Sequence, residues 1–323
     1  MSSSLIASSC DWATPVYRLD SFCGGNEIWI KRDDLIPFCF GGNKARIAAC
    51  FMDEMRKGSF SCMVGYGSAG SNLSRALACA CAGAGMRCVI ISPRDSGDCA
   101  TRPFNEYLVH MFGAELVCCD KKDVRATVAG TLCRLRAQGE KPYYIYGDET
   151  GQGNESAPIG AYAGFWDGLA EQCDCAFDEL FLACGTGMTL GGILADAAHA
   201  GATCSVMGVS IARPAAMAAD CVKRYLDAAD LAPEVSARIP AWKIWDGGLR
   251  GGYGLSDEQE RAVVRRLLSC EGVPADLTYV GKAFAGMLDL LRERGASGKK
   301  VLFLHTGGTP LFFDDCLVGE VNA

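Results

Sequence analysis

The sequence predicts an α/β protein built on largely parallel sheet. Short apolar runs alternate with alanine-rich segments at helical spacing, and several of those runs end in glycine-rich turns that open a helix. A chain of 323 residues is too long for one minimal core and suits two closely packed lobes or one large domain. The spacing predicts strands over 27–31, 62–66, 88–92, 115–119, 180–183, 204–209 and 301–305. Helices are expected over 44–57, 71–84, 102–112, 123–137, 160–173, 190–200 and 257–270. No repeat, low-complexity stretch or Pro/Ser-rich linker divides the chain, so two lobes would be intimately joined. The strand–helix block from Cys62 to Tyr146 reads as the smaller lobe.

Composition narrows the function. The net charge of −7 offers no footprint for nucleic acid or an anionic membrane. No apolar run reaches the roughly 20 residues that span a bilayer. The first ten residues have neither a basic leader nor a long apolar segment, which makes the cytoplasm the expected compartment. Nineteen cysteines, odd in number and scattered, do not resemble a secreted disulfide framework. No Cys-x-x-Cys occurs and there are only three histidines, so no metal site is expected and the thiols read as small, reduced hydrophobes.

Four strand ends and a pair of tyrosines carry the chemistry. In Lys31-Arg-Asp-Asp-Leu-Ile-Pro-Phe-Cys-Phe-Gly-Gly-Asn-Lys44, a strand runs through a glycine turn into a helix opened by a lysine. The helix dipole disfavours a cation there and favours a neutral, nucleophilic amine; a solvated surface lysine is the plainer alternative. In Gly67-Ser-Ala-Gly-Ser71-Asn72, small and hydroxyl residues start a helix, suiting either a bound carboxylate or an ordinary N-cap. The third stretch, Gly185-Thr186-Gly187-Met188-Thr189-Leu190-Gly191, has the strand–turn–helix form that cradles a phosphate. Leu190 breaks the dinucleotide fingerprint and no Gly-Lys-Ser/Thr ending makes a P-loop, so one monophosphate is the better guest. Fourth, His305-Thr306-Gly307-Gly308 ends another apolar strand, where parallel sheets bind ligands; His305 by itself reads as structural. Tyr253 and Tyr279 are flanked by or near glycines that allow close approach, or are core and surface tyrosines.

In this order, these stretches resemble the 1-aminocyclopropane-1-carboxylate (ACC) deaminase and D-cysteine desulfhydrase family, over about residues 12–313. The resemblance implies the two-lobed tryptophan-synthase-β-like fold (fold type II), each lobe a mainly parallel twisted sheet flanked by helices. The large lobe would comprise 1–48 and 156–323, the small substrate-side lobe 49–155. It further implies pyridoxal 5'-phosphate (PLP), bound by Lys44 as a Schiff base, with a small amino acid as substrate and a homodimer as the assembly. Asn72 would bond the cofactor's ring oxygen, Ser71 the substrate carboxylate, and Gly185, Thr186, Gly187, Met188 and Thr189 the phosphate. Thr306 would meet the pyridine nitrogen, Tyr279 lie by the ring and Tyr253 face the substrate.

The sequence departs from that family at three places. Gly70 stands where a glutamine usually precedes the serine, Val280 stands where the cyclopropane deaminase has a carboxylate, and Phe38-Cys39-Phe40 is unusual. The expectation is therefore a lyase, D-cysteine desulfhydrase-like, that eliminates a β-substituent to give pyruvate and ammonia without opening the cyclopropane ring. Alternatives on the same fold are a β-replacement enzyme resembling cysteine synthase, an amino-acid racemase or a deaminase. Outside these stand a binding protein that has lost activity and, more remotely, an NAD-dependent enzyme.

Overall fold

The structure, a computed structural model, describes residues 12–94 and 103–317. The N-terminal stretch 1–11 and the expected helix start at Arg102 lie outside the described residues. The chain divides into two compact units, one within Lys44–Ala161 and the other formed by 12–43 and 162–317. Among the described residues no helix is long and apolar enough to cross a membrane, and no group of three or more His, Cys, Asp or Glu could hold a metal ion.

The larger unit is organised by a six-stranded sheet. Its order is β1 (Val16–Arg18), β2 (Glu27–Arg32), β10 (Lys300–His305), β7 (Glu179–Cys184), β8 (Ser205–Ser210) and β9 (Trp242–Trp245). Only β1 runs antiparallel to its neighbour. The inner strands are near-continuous apolar runs, such as Val301-Leu-Phe-Leu304, because both faces of a parallel sheet are covered. Helix α10 (Val280–Glu293) packs on β7 and β8, and its Phe284 meets Phe22 and Phe303 edge to face, with ring centroids 5.1 and 5.0 Å apart. The remaining helices of this unit are α5 (Phe165–Gln172), α6 (Met188–Ala200), α7 (Ala215–Ala228), α8 (Pro233–Ser236), α9 (Glu258–Glu271) and α11 (Thr309–Leu317).

A charged run enters this core at the end of β2, and its side chains are held by specific partners. Lys31 Nζ donates to Thr14 O and Gln172 Oε1, both at 2.6 Å. Arg32 grips Asp34 through two bonds of 2.8 and 2.6 Å and donates to the Tyr17 hydroxyl at 2.6 Å. Asp33 accepts from Thr14 at 2.9 Å and Tyr162 at 2.8 Å. Burial of four consecutive ionisable residues is tolerable because each is hydrogen-bonded.

The smaller unit has a four-stranded, all-parallel sheet in the order β5 (Glu115–Asp120), β4 (Arg87–Arg94), β3 (Cys62–Tyr66), β6 (Pro142–Tyr144). Helix α2 (Asn72–Ala84) packs on β3 and β4, and α4 (Val124–Ala137) on β4, β5 and β6; α1 (Asn43–Lys57) and α3 (Phe104–Met111) complete the set. The expected helix over 160–173 is interrupted. Ala157–Tyr162 form a short 3-10 turn, and Gly164, at φ 76°, resets the chain before α5 begins at Phe165.

Phe303 is fully buried and Met217 is 59% exposed. Phe303→Ala is expected to lower the unfolding free energy by about 3–5 kcal/mol, against under about 0.5 kcal/mol for Met217→Ala. Urea denaturation followed by circular dichroism reads both, and equal losses would contradict the placement of this core.

Candidate functional site

Lys44 is the second residue of α1, and the backbone ahead of it is unusual. Cys39, Phe40, Gly41 and Gly42 all have positive φ, at 48°, 61°, 64° and 92°. Two non-glycine residues in the left-handed region cost on the order of 1–2 kcal/mol each. This winding is the structural form of the unusual Phe38-Cys39-Phe40 string, and it brings Gly42 against the end of β10. A Cβ on Gly42 would lie 2.8 Å from Thr306 O and 3.1 Å from Gly307 Cα, so two backbones meet where side chains would separate them.

Asn43 then makes two bonds that define the surroundings. Its backbone N–H donates to Thr306 O at 3.0 Å, and its Nδ2 donates to Thr189 Oγ1 at 2.7 Å. One residue thus joins the first turn of α6, which follows β7, to the turn after β10. The sequence placed Asn43 in the glycine turn but gave no sign of this double attachment.

The turn after β7 comprises Gly185, Thr186 and Gly187 and opens α6 at Met188. Gly187, at φ 91°, occupies the N-cap position, and no side chain caps the helix. The first-turn amides, those of Met188, Thr189 and Leu190, therefore have no capping side chain, as an anion-binding helix start requires. Arg213 holds this turn from behind, with Nη1 donating to Gly185 O at 2.7 Å. The motif gave no hint of Arg213, which lies beyond the next strand.

Thr306 is buried, and its neighbour His305 is fully enclosed. His305 Nδ1 accepts from Gly307 N at 3.2 Å, which leaves Nε2 as the donor to Pro274 O at 2.7 Å. Burial lowers its pKa, so the ring is neutral and structural.

Tyr253 and Tyr279 come together, their hydroxyls 2.6 Å apart and their rings edge to face at 5.9 Å. Burial, then the neighbouring Tyr253, pushes the Tyr279 hydroxyl well above its ordinary pKa, so it keeps its proton at neutral pH. Asp276, which the sequence reading passed over, fixes Tyr279 from below: its carboxylate accepts from the amides of Thr278, Tyr279 and Val280 at 3.0, 2.7 and 3.3 Å. Complete burial pushes Asp276 up to about 6 against the pull of those amides. The loop bearing Tyr253 is tied by buried Lys282, whose Nζ donates to Leu249 O at 3.2 Å and Gly252 O at 2.6 Å. Arg250 anchors the same loop to Asp257 and to Asp289.

In the smaller unit, Ser71 is the N-cap of α2, its Oγ accepting from Ser74 N at 3.1 Å. The plain capping role is thus filled, and the hydroxyl still has a proton to donate. Asn72 follows as the first residue of the helix, and its Oδ1 accepts from Asn105 Nδ2 at 2.9 Å and from Arg75 Nη2 at 3.4 Å. The described cysteines are free thiols, several of them buried.

A parallel sheet whose strands end in hydroxyl–glycine turns, one opening on uncapped amides, is the arrangement of an α/β enzyme that holds a single phosphate group. The model of the pyridoxal-phosphate dependent enzyme family matches residues 8–307, so the chain belongs to that family and PLP is its cofactor. The solved structure of an ACC deaminase homologue superposes with a TM-score of 0.81 at 23% identity, over 98% of each chain. A hydrogen sulfide-producing enzyme from Fusobacterium nucleatum gives a TM-score of 0.64 at 18% identity, over 96% of this chain and 99% of that one. At these identities the likeness establishes a shared fold, the tryptophan-synthase-β-like fold type II expected from the sequence. The uncapped start of α6 and the glycine before it fit the cofactor's phosphate.

At Gly187 a Cβ would sit 3.0 Å from Val222 N, in a backbone conformation that side chains disfavour. Gly187→Val is expected to weaken PLP binding at least about tenfold, or about 1.4 kcal/mol. Titration of the folded apoprotein with PLP measures this, and unchanged affinity would remove the turn from phosphate binding.

Proposed function

We propose that this PLP enzyme is a lyase that eliminates a β-substituent from a small amino acid, resembling D-cysteine desulfhydrase and yielding pyruvate and ammonia with the leaving group. The single observation that carries the choice of reaction is Val280. It is buried at the start of α10, directly after Tyr279, where the resemblance to the cyclopropane deaminase calls for a carboxylate. An apolar side chain there has no charge or proton with which to assist ring opening, whereas elimination of a good leaving group needs neither. The two similar folds, one an ACC deaminase homologue and one a hydrogen sulfide-producing enzyme, support this general chemistry without naming the substrate.

Bound PLP supplies an electron sink for the substrate's α-carbon. Lys44 is the residue proposed to hold it covalently, and its Nζ, when free, would be the base for the substrate's α-proton. Ser71 Oγ, still able to donate, would bind the substrate carboxylate and so orient the α-carbon. Asn72 is assigned to the cofactor's ring oxygen, and Gly185, Thr186, Gly187, Met188 and Thr189 to its phosphate. Thr306 is assigned to the pyridine nitrogen, where a hydroxyl leaves that nitrogen less protonated than a carboxylate would. Tyr279, whose hydroxyl keeps its proton, would lie by the ring, and with its partner Tyr253 it is assigned to the departing group. A homodimer belongs to the same reading and rests on the resemblance, with the cytoplasm as the compartment expected for it.

Lys44→Ala is expected to lose nearly all turnover, and borohydride reduction of the loaded enzyme to place the label on Lys44. A label on Lys31, Lys243 or Lys282 would overturn the assignment. Against a panel of D- and L-cysteine, serine, β-chloroalanine, cysteate, 2,3-diaminopropionate and the cyclopropane acid, pyruvate should form from substrates with good leaving groups. Robust release of 2-oxobutyrate from the cyclopropane acid would refute this reaction.

A further inference from the structure

Asn72 is assigned to the cofactor's ring oxygen, but an asparagine can present either an NH2 or a carbonyl, and only the former suits an ionised oxygen. The structure contains the residue that decides between them. Asn105, the second residue of α3, is fully buried. Its Nδ2 donates to Gly70 O at 2.9 Å and to Asn72 Oδ1 at 2.9 Å. A peptide carbonyl only accepts, so Gly70 O fixes which end of the Asn105 amide faces it; the reverse orientation would set two oxygens together. With Asn105 so fixed, its second N–H is aimed at Asn72. The Arg75 guanidinium reaches the same side of Asn72 at 3.4 Å. Asn72 must therefore turn its oxygen toward these two donors, because the opposite orientation would bring N–H against N–H. Its Nδ2 is left with no protein acceptor among the described residues. The arrangement has a cost that argues for a purpose: Asn105 Oδ1 is buried with no hydrogen-bond partner.

We propose that Asn105 is a positioning residue, which sets the Asn72 amide with its NH2 facing away from Asn105 and Arg75 as the donor to the ring oxygen of PLP. This rests on the assignment of Asn72 given above. Gly70, where related enzymes place a glutamine, thereby gains a role through its carbonyl. Asn105 does not touch the cofactor in this scheme and acts only through Asn72.

The test is the absorption spectrum of the PLP-loaded enzyme across pH, with PLP affinity as a second readout. A hydrogen-bond donor at the ring oxygen favours the ionised form, which absorbs at longer wavelength, over the neutral phenol form, which absorbs at shorter wavelength. Asn105→Asp has no N–H to offer and would accept from Asn72, turning the Asn72 oxygen outward. The expected result is a marked loss of the longer-wavelength band and at least about tenfold weaker PLP binding. In an Asn72→Ala background, Asn105→Asp should have little further effect on either readout, because the two residues act as a unit. If Asn105→Asp does not fold, the near-isosteric Asn105→Leu removes both donors without adding a charge or another donor, and carries the same test.

Two results would overturn the proposal: a spectrum and affinity like those of the unmodified enzyme, or an Asn105 effect that persists in full without Asn72. The assignment of Asn72 fails separately, if Asn72→Ala alone leaves the bands and affinity unchanged.

Discussion

The paired hydrogen bonds of Asn43 are the constraint on which the rest of the larger unit's chemistry depends. Residues 39–42 wind through the left-handed region, Gly42 lies against Gly307, and Asn43 binds Thr306 through its backbone and Thr189 through its side chain. Each attachment needs the others. A side chain on Gly42 would push the chain off Thr306, and a displaced Asn43 could not reach Thr189. Lys44 follows directly in the sequence, where the chain passes from the larger unit to the smaller. Strain at Cys39 and Phe40 is tolerated because these bonds over-determine the path.

The sheet interiors were legible from sequence because strands covered on both faces must be apolar along their length. The expected strand 62–66 coincides with β3, and the other expected strands differ by a residue or two at their ends. The three strands without a sequence signal, β1, β6 and β9, are all at sheet edges. Edge strands are short and half-covered, and β6 even begins with Pro142, so they lack the long apolar run. The helix over 160–173 was over-read because its apolar spacing continues through Gly164, whose left-handed backbone breaks it.

The site was legible where a role belongs to a motif and opaque where it belongs to a long-range contact. Glycine and hydroxyl residues at strand ends mark the turns at 185–187 and 306–308. Nothing local marks Arg213 behind Gly185, Asp276 beneath Tyr279, Lys282 beneath the Tyr253 loop, or Asn105 beside Asn72. These residues act on backbone carbonyls, amides and another side chain's orientation, and such partners become visible only once the chain is folded. His305 already reads as structural in the sequence, and burial with two backbone bonds makes it a support beside Thr306.

The two helix starts differ in a way that reaches beyond binding. α2 carries its own cap in Ser71, whereas α6 opens behind Gly187 with none. Under the phosphate assignment proposed above, the first turn of α6 is completed only when the cofactor is bound, and the native state then gains stability as ligand activity rises. Where the unfolded fraction is what proteases remove, such a protein lasts longer in a vitamin-replete cell than in a starved one. Its abundance would follow nutrition without any change in its synthesis.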